Sequence, residues 1–257
     1  MLRVNGQRLL RFISIRRGIF LLAAGLLLAG SRVGLQYFQS AQLTARLMKG
    51  DPDLLPDVPQ LTHYAESIAR PVYVRQCASC HGRNLEGNRH RGAPGFNDNA
   101  WLYDSGRVIE IEQLIRYGIR SGEPRSPNIT DMPAFGRTGK LTSAQIRNVV
   151  YYVLSLSEQG ADPAAIAQGR TIFSDQGACW DCHREDGKGN SAYGAPDLTD
   201  SDWLYGSDEA SIYTSVYDGR HGVCPAWNKK LDPTQIRALA VYLYDSTHKK
   251  VSDANSH

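Results

Sequence analysis

Cys77-Ala78-Ser79-Cys80-His81 returns 102 residues later as Cys179-Trp180-Asp181-Cys182-His183. Two cysteines two residues apart, followed at once by histidine, form the attachment signature of c-type haem. The spacing lets two thiols reach the two vinyl groups of one porphyrin, and the adjacent imidazole becomes the proximal iron ligand. A single copy also fits half of a zinc or redox site. Two copies leading two matching segments point to two covalently bound haems c. One is expected on Cys77, Cys80 and His81, the other on Cys179, Cys182 and His183.

The repeat runs well past these motifs. Gly92-Ala93-Pro94 and Trp101-Leu102-Tyr103 answer to Gly194-Ala195-Pro196 and Trp203-Leu204-Tyr205 at the same offset. Met132-Pro133-Ala134-Phe135 then answers to Cys224-Pro225-Ala226-Trp227 at an offset of 92. The first copy therefore holds about ten extra residues, best placed in the Pro-containing stretch 122–131. A period near 100 suits a duplicated domain rather than a solenoid.

Each copy closes with a marked helix. Asp232, Pro233 and Gln235 form an N-cap, a first-position proline and a capping box. Ile236, Leu239, Ala240 and Leu243 follow as an apolar stripe. Thr142 and Gln145 cap the equivalent helix, with Ile146, Val149, Val150 and Val153 as its stripe. Shorter helices are expected over 66–76, 107–117, 165–174 and 209–217, separated by Gly- and Pro-rich loops. No long alternating strand pattern occurs. The expected architecture is all-α: domain 1 at 63–157, domain 2 at 164–248, a junction near Ser157–Pro163 and a tail at 249–257. Domains of about 90 residues have little core of their own, and a buried porphyrin supplies part of it.

Residues 1–50 carry eight Lys or Arg and no Asp or Glu, while the remainder carries 21 basic and 26 acidic residues. Nucleic acid is thereby excluded as a partner despite the sequence pI of 8.6. A basic stretch at 1–17 precedes an apolar run, and 18–38 totals 21 residues, enough to span a bilayer if Arg32 snorkels. Positive charge before the apolar run keeps the N-terminus cytoplasmic and sends the rest outward. The expectation is a single inner-membrane anchor or signal segment, a linker over 39–62, and haem domains in the periplasm. Ala29-Gly30-Ser31 leaves cleavage open.

The distal side is less determined. Met132 is the one methionine in the haem region, 51 residues after His81, and is expected as that haem's sixth ligand. The second copy has Cys224 at the aligned position. Three readings stay open there: Cys224 thiolate as ligand of the second haem, His221 in its place, or no strong ligand beside a buried thiol. Pro94 and Pro196 each follow their histidine by 13 residues, and their carbonyls are candidates to accept its Nδ1–H. Trp101 and Trp203 are candidates to line the haem edge and donate to a propionate, with plain core packing the other reading.

On these motifs the chain resembles the dihaem cytochrome c subunit of cbb-type haem–copper oxidases, over roughly residues 66–246. The resemblance implies two tandem class I cytochrome c domains behind a membrane anchor, passing electrons between a soluble donor and an oxidase core. That family has Met where this chain has Cys224. The expected function is single-electron transfer by a periplasmic dihaem cytochrome, with an oxidase core, a periplasmic dehydrogenase or a soluble cytochrome as redox partner. No Ser/His/Asp set, nucleotide loop or carboxylate pair argues for separate catalysis. The alternative is a redox enzyme or sensor acting at a Cys-ligated haem on a sulfur compound, peroxide or small gas.

Overall fold

The computed structural model describes residues 30–97, 101–127, 130–157 and 162–254. They are helical with intervening loops, and the described β-structure is limited to isolated antiparallel bridges. Residues 30–49 form helix α1 and a unit apart from the rest. Most of the anchor expected over 18–38 lies outside the described residues, as does the basic stretch before it. In the described part, Val33, Leu35, Tyr37 and Phe38 are exposed. No described helix is long and apolar enough to cross a membrane.

Within the stretch 39–62, expected as a linker, α1 continues to residue 49. After α1, Asp51 accepts from Asp53 N at 3.1 Å and starts a short 3-10 turn, Pro52–Asp57. Helix α2 then runs over Pro59–Gln76, again with proline in its first turn. The remaining elements are α3 (Ala78–His81), α4 (Val108–Tyr117), α5 (Ser143–Ser155), α6 (Pro163–Ser174), α7 (Trp180–His183), α8 (Glu209–Asp218) and α9 (Pro233–Ala254). Both expected capping boxes are present. Thr142 and Gln145 cap α5 reciprocally, and Asp232 accepts from the amides of Thr234 and Gln235 while Gln235 returns a bond to Asp232 N. Helix α9 continues through 249–254, so the expected tail begins in helix.

The closing helix of each copy packs on the other copy. Helix α5, the last of copy 1, packs on α6 and α8 of copy 2; α9, the last of copy 2, packs on α2 and α4 of copy 1. The stripe Ile146, Val149, Val150 and Val153 lies in one buried cluster with Ile172, Phe173, Ile212 and Val216. Two bodies result, α2–α3–α4–α9 and α5–α6–α7–α8, with their closing helices exchanged. The expected division at 63–157 and 164–248 follows the chain, and this packing runs across it. Seven residues separate α5 from α6, and so short a connection makes consecutive helices neighbours. Gly169 permits their close approach, since a Cβ there would overlap the carbonyl of Asn148. Tyr152 meets Phe173 edge-on at 5.2 Å across this pair, as Tyr242 meets Tyr73 at 6.0 Å across α9 and α2.

A buried ion cluster fastens the exchange. Glu112 of α4, with its side chain 4% exposed, pairs with Arg237 of α9 and with Arg116 at 2.5 Å. Removing one member of a buried pair strands the others and costs about 3–5 kcal/mol. Glu112→Ala is therefore expected to destabilise the α2–α3–α4–α9 body by about that amount in denaturant unfolding. A loss under about 1 kcal/mol would show that the cluster is not what holds α9 there.

Candidate haem sites

Each motif sits at a helix–turn. Cys77 follows α2, and the single turn α3 presents Cys80 and His81; Cys179, Cys182 and His183 repeat this at α7. None of the five cysteines is in a disulfide. His81 Nδ1 lies 2.9 Å from the Pro94 carbonyl and His183 Nδ1 lies 3.1 Å from the Pro196 carbonyl. A carbonyl only accepts, so Nδ1 carries the proton in both rings and Nε2 is left free to ligate. Burial lowers both histidine pKa values, against the smaller raising effect of these carbonyls, and favours the neutral imidazole that a metal needs. Tyr73 was not singled out by the sequence. Its hydroxyl donates to the carbonyl of Gly82 at 2.7 Å, and it lies within 3.2 Å of that of His81.

The distal segments cross over. Ile119 and Cys224 exchange backbone hydrogen bonds of 2.9 and 3.0 Å, and Met132 and Arg220 exchange two of 3.1 Å. The Cys224 strand thus lies on copy 1 and the Met132 strand on copy 2. Cys224 comes close enough to the first motif for its titration to be coupled to that of Cys77 and Cys80. Burial is the larger effect, pushing Cys77 up to about 12 and Cys224 up to about 11. Met132 packs instead on the cluster containing Ile172 and Phe173, along with Cys179 and Trp203. The pairing read along the sequence, Met132 with His81 and Cys224 with His183, is not the one these contacts draw together. Each distal residue travels with the closing helix that follows it, and those helices are exchanged. His221 does not turn inward: its ring is 57% exposed and meets Asp131 at 2.7 Å.

Two backbone positions allow the crossing. Gly118 and Gly219 have φ of +69° and +72°. A Cβ on Gly118 would overlap the Cys224 carbonyl and come 2.7 Å from Ala226 N, and one on Gly219 would come 2.5 Å from the Met132 carbonyl. The tyrosines cross too. A Cβ on Gly92 would strike the Tyr205 ring and one on Gly194 the Tyr103 ring, so each proximal loop receives an aromatic from the other copy.

Among the described residues, the buried side-chain donors without an acceptor are Trp101 Nε1 and Arg120 Nε. Arg120 Nε is 2.9 Å from Asp131 Oδ1, near enough for charge pairing but not aimed for a hydrogen bond. Trp101 stands 6.3 Å from Phe96, whose ring lies 4.7 Å from that of His81. An orphaned donor so close to the proximal ligand fits an anionic cofactor edge. Trp203 differs, because its indole N–H donates to the Asp200 carbonyl at 3.0 Å. Of the two readings for these tryptophans, donor to a propionate or core packing, Trp101 has a donor without an acceptor and Trp203 packs on the same cluster as Cys179.

A family model described as cytochrome c matches residues 69–157, and one described as cytochrome c oxidase, cbb3-type, subunit III matches 164–243. A cbb3-type cytochrome c oxidase subunit CcoP of Cereibacter sphaeroides is 39% identical over 212 residues, which cover 82% of this chain and 71% of that protein. The chain belongs to the CcoP/FixP family of cbb3-type oxidase subunits. A CcoP of Azospirillum sp. (strain B510) is 38% identical over 214 residues, 80% of this chain and 70% of the relative. A FixP of Bradyrhizobium sp. (strain ORS 278) is 44% identical over 190 residues, and this chain spans 62% of its length. Membership makes both halves cytochrome c domains, with two covalently held haems c as cofactors. The Cys, His and Pro geometry above fits that group at both places.

Proposed function

We propose that this CcoP/FixP-family chain is the electron-transfer subunit of a cbb3-type oxidase, tethered by a single N-terminal anchor in the inner membrane with its haem domains in the periplasm. The relatives' shared designation as oxidase subunits supports this over a stand-alone enzyme or sensor. When bound, each haem supplies a one-electron couple at its iron. The residues determine how that couple is held. Cys77 and Cys80 fix one porphyrin and Cys179 and Cys182 the other; His81 and His183 take the proximal positions, oriented by Pro94 and Pro196. Cys224 would hold the iron of the first haem with His81, and Met132 that of the second with His183. Trp101 Nε1, without an acceptor of its own, would donate to a propionate of the first haem.

The observation that carries this ligand assignment is the pair of crossed backbone ladders, Ile119 with Cys224 and Met132 with Arg220. Intact-mass measurement of the matured protein is expected to show two added haems, and redox titration two one-electron steps. One haem or none in a maturation-competent host would overturn the reading. The glycines test the crossing itself. Gly118→Ala should displace the Cys224 strand, removing the thiolate signal in electron paramagnetic resonance and admitting cyanide at the first haem. Gly219→Ala should weaken the near-infrared sulfur-to-iron band of Met132 at the second haem. Reversed effects would restore ligation within each copy.

A further inference from the structure

The thioether edges of the two haem sites are built from aligned positions with opposite character. Around Cys80 the first site has Ala78 and Arg91, and Arg91 Nη1 lies 3.7 Å from the Cys80 sulfur. At the same offsets around Cys182 the second site has Trp180 and Tyr193, exposed by 41% and 39%. Thr130 joins these parts, since its side chain reaches Cys182 and lies 3.4 Å from the Tyr193 carbonyl. The surrounding charge differs as sharply. Residues 70–107 hold six basic and three acidic residues; the aligned 172–209 hold two basic and nine acidic. The excess persists over all of 131–219, with six basic and thirteen acidic, Lys140 and Arg147 included. Asp175, Asp181, Glu185 and Asp186 are exposed beside the second motif, as Arg83, Arg89 and Arg91 are beside the first.

We infer that the second haem's edge, centred on Trp180 and Tyr193 and ringed by these carboxylates, docks a soluble one-electron carrier whose redox patch is apolar and ringed by lysines. An exposed aromatic centre with a charged rim is how transient interfaces combine short-range contact with long-range steering. The arginine edge of the first site repels such a carrier and lacks the aromatic centre. In each encounter one electron leaves one partner's ferrous centre and reduces the other's ferric centre, with no bond made or broken. This rests on the electron-transfer reading above and adds the place and chemistry of the partner.

The test mixes the pre-reduced dihaem protein with ferric mitochondrial cytochrome c, a lysine-rimmed probe, in a stopped-flow instrument. The second-order rate constant should fall steeply with added salt, because attraction between exposed charges is screened over about 10 Å at 0.1 M. Trp180→Ala places in the second motif the residue the first already has, and should slow the reaction at least tenfold at low salt. Asp181→Lys with Asp186→Lys should do the same, while Arg83→Glu with Arg89→Glu should change it less than twofold. Haem content and midpoint potentials of each variant confirm folding. If the arginine variants slow the reaction, or the Trp180 and Asp variants leave it unmoved, the docking site is elsewhere. Failure of dithionite to reduce both haems would instead overturn the electron-transfer reading.

Discussion

Cys224→Met is expected to raise the midpoint potential of the haem held by His81, the first in the sequence, by on the order of hundreds of millivolts. Axial identity moves haem potentials over roughly 0.8 V. A thiolate donates charge and stabilises ferric iron, whereas a thioether is neutral and favours the ferrous state. The apolar surroundings that push the Cys224 thiol up to about 11 oppose its ionisation, so the anion exists there only with a cation beside it. Which haem moves is the decisive point. In a Cys179→Ser, Cys182→Ser background, which lacks the second haem, the thiolate signal should persist and Cys224→Met should still shift the remaining potential. In a Cys77→Ser, Cys80→Ser background the thiolate signal should vanish although Cys224 is present. The opposite pattern would return Cys224 to the second haem and end the crossed assignment.

Residues 50–160 and 161–257, produced as separate chains, are expected to fail as independent domains and to assemble one-to-one when matured together. Alone, the first fragment leaves Leu61, Ala65, Val72, Val108 and Ile111 without the face of α9 carrying Ile236 and Leu239, all buried in the intact protein. Its own α5 would likewise lack Ile172 and Phe173. Exposing a closing helix's apolar stripe removes several side chains' worth of burial at about 1.5–3 kcal/mol each, comparable with the whole stability of so small a domain. Size-exclusion chromatography with absorbance of the ferrous protein reads the outcome. A monomeric, six-coordinate first fragment would show that each copy closes on itself.

Much of this was legible in the residues, for identifiable reasons. The motif spacing is dictated by porphyrin geometry, and the step of 13 from histidine to proline by the reach of a loop that returns to the imidazole. Both helix caps are local devices, satisfied within four residues, and both appear as written. The choice between the two readings of Trp203 was not legible, because an indole donor has no preferred partner in sequence; it donates to the Asp200 carbonyl three residues away. His221 is adjacent in sequence to the distal segment, but its ring lies at the surface, 2.7 Å from Asp131. Arg120 carried no sequence signal. Its importance comes from reaching Tyr103 at 2.9 Å and the Gly222 carbonyl at 2.8 Å, a partner 102 residues away.

The sequence by itself determined two haem-binding halves, their helices, proximal ligands and the two sulfur residues available on the distal side. Only the tertiary structure decided which half each closing helix completes, and with it which half the Cys224 and Met132 segments lie against. A repeat explains that ambiguity: the stripes on α5 and α9 are near copies, so either fits the generic groove of either half. Their periodicity states that each must be buried, not against what. The choice falls to features with no signature in either copy alone: the short connection between α5 and α6, the close approach at Gly169, and the Glu112 carboxylate that requires Arg237.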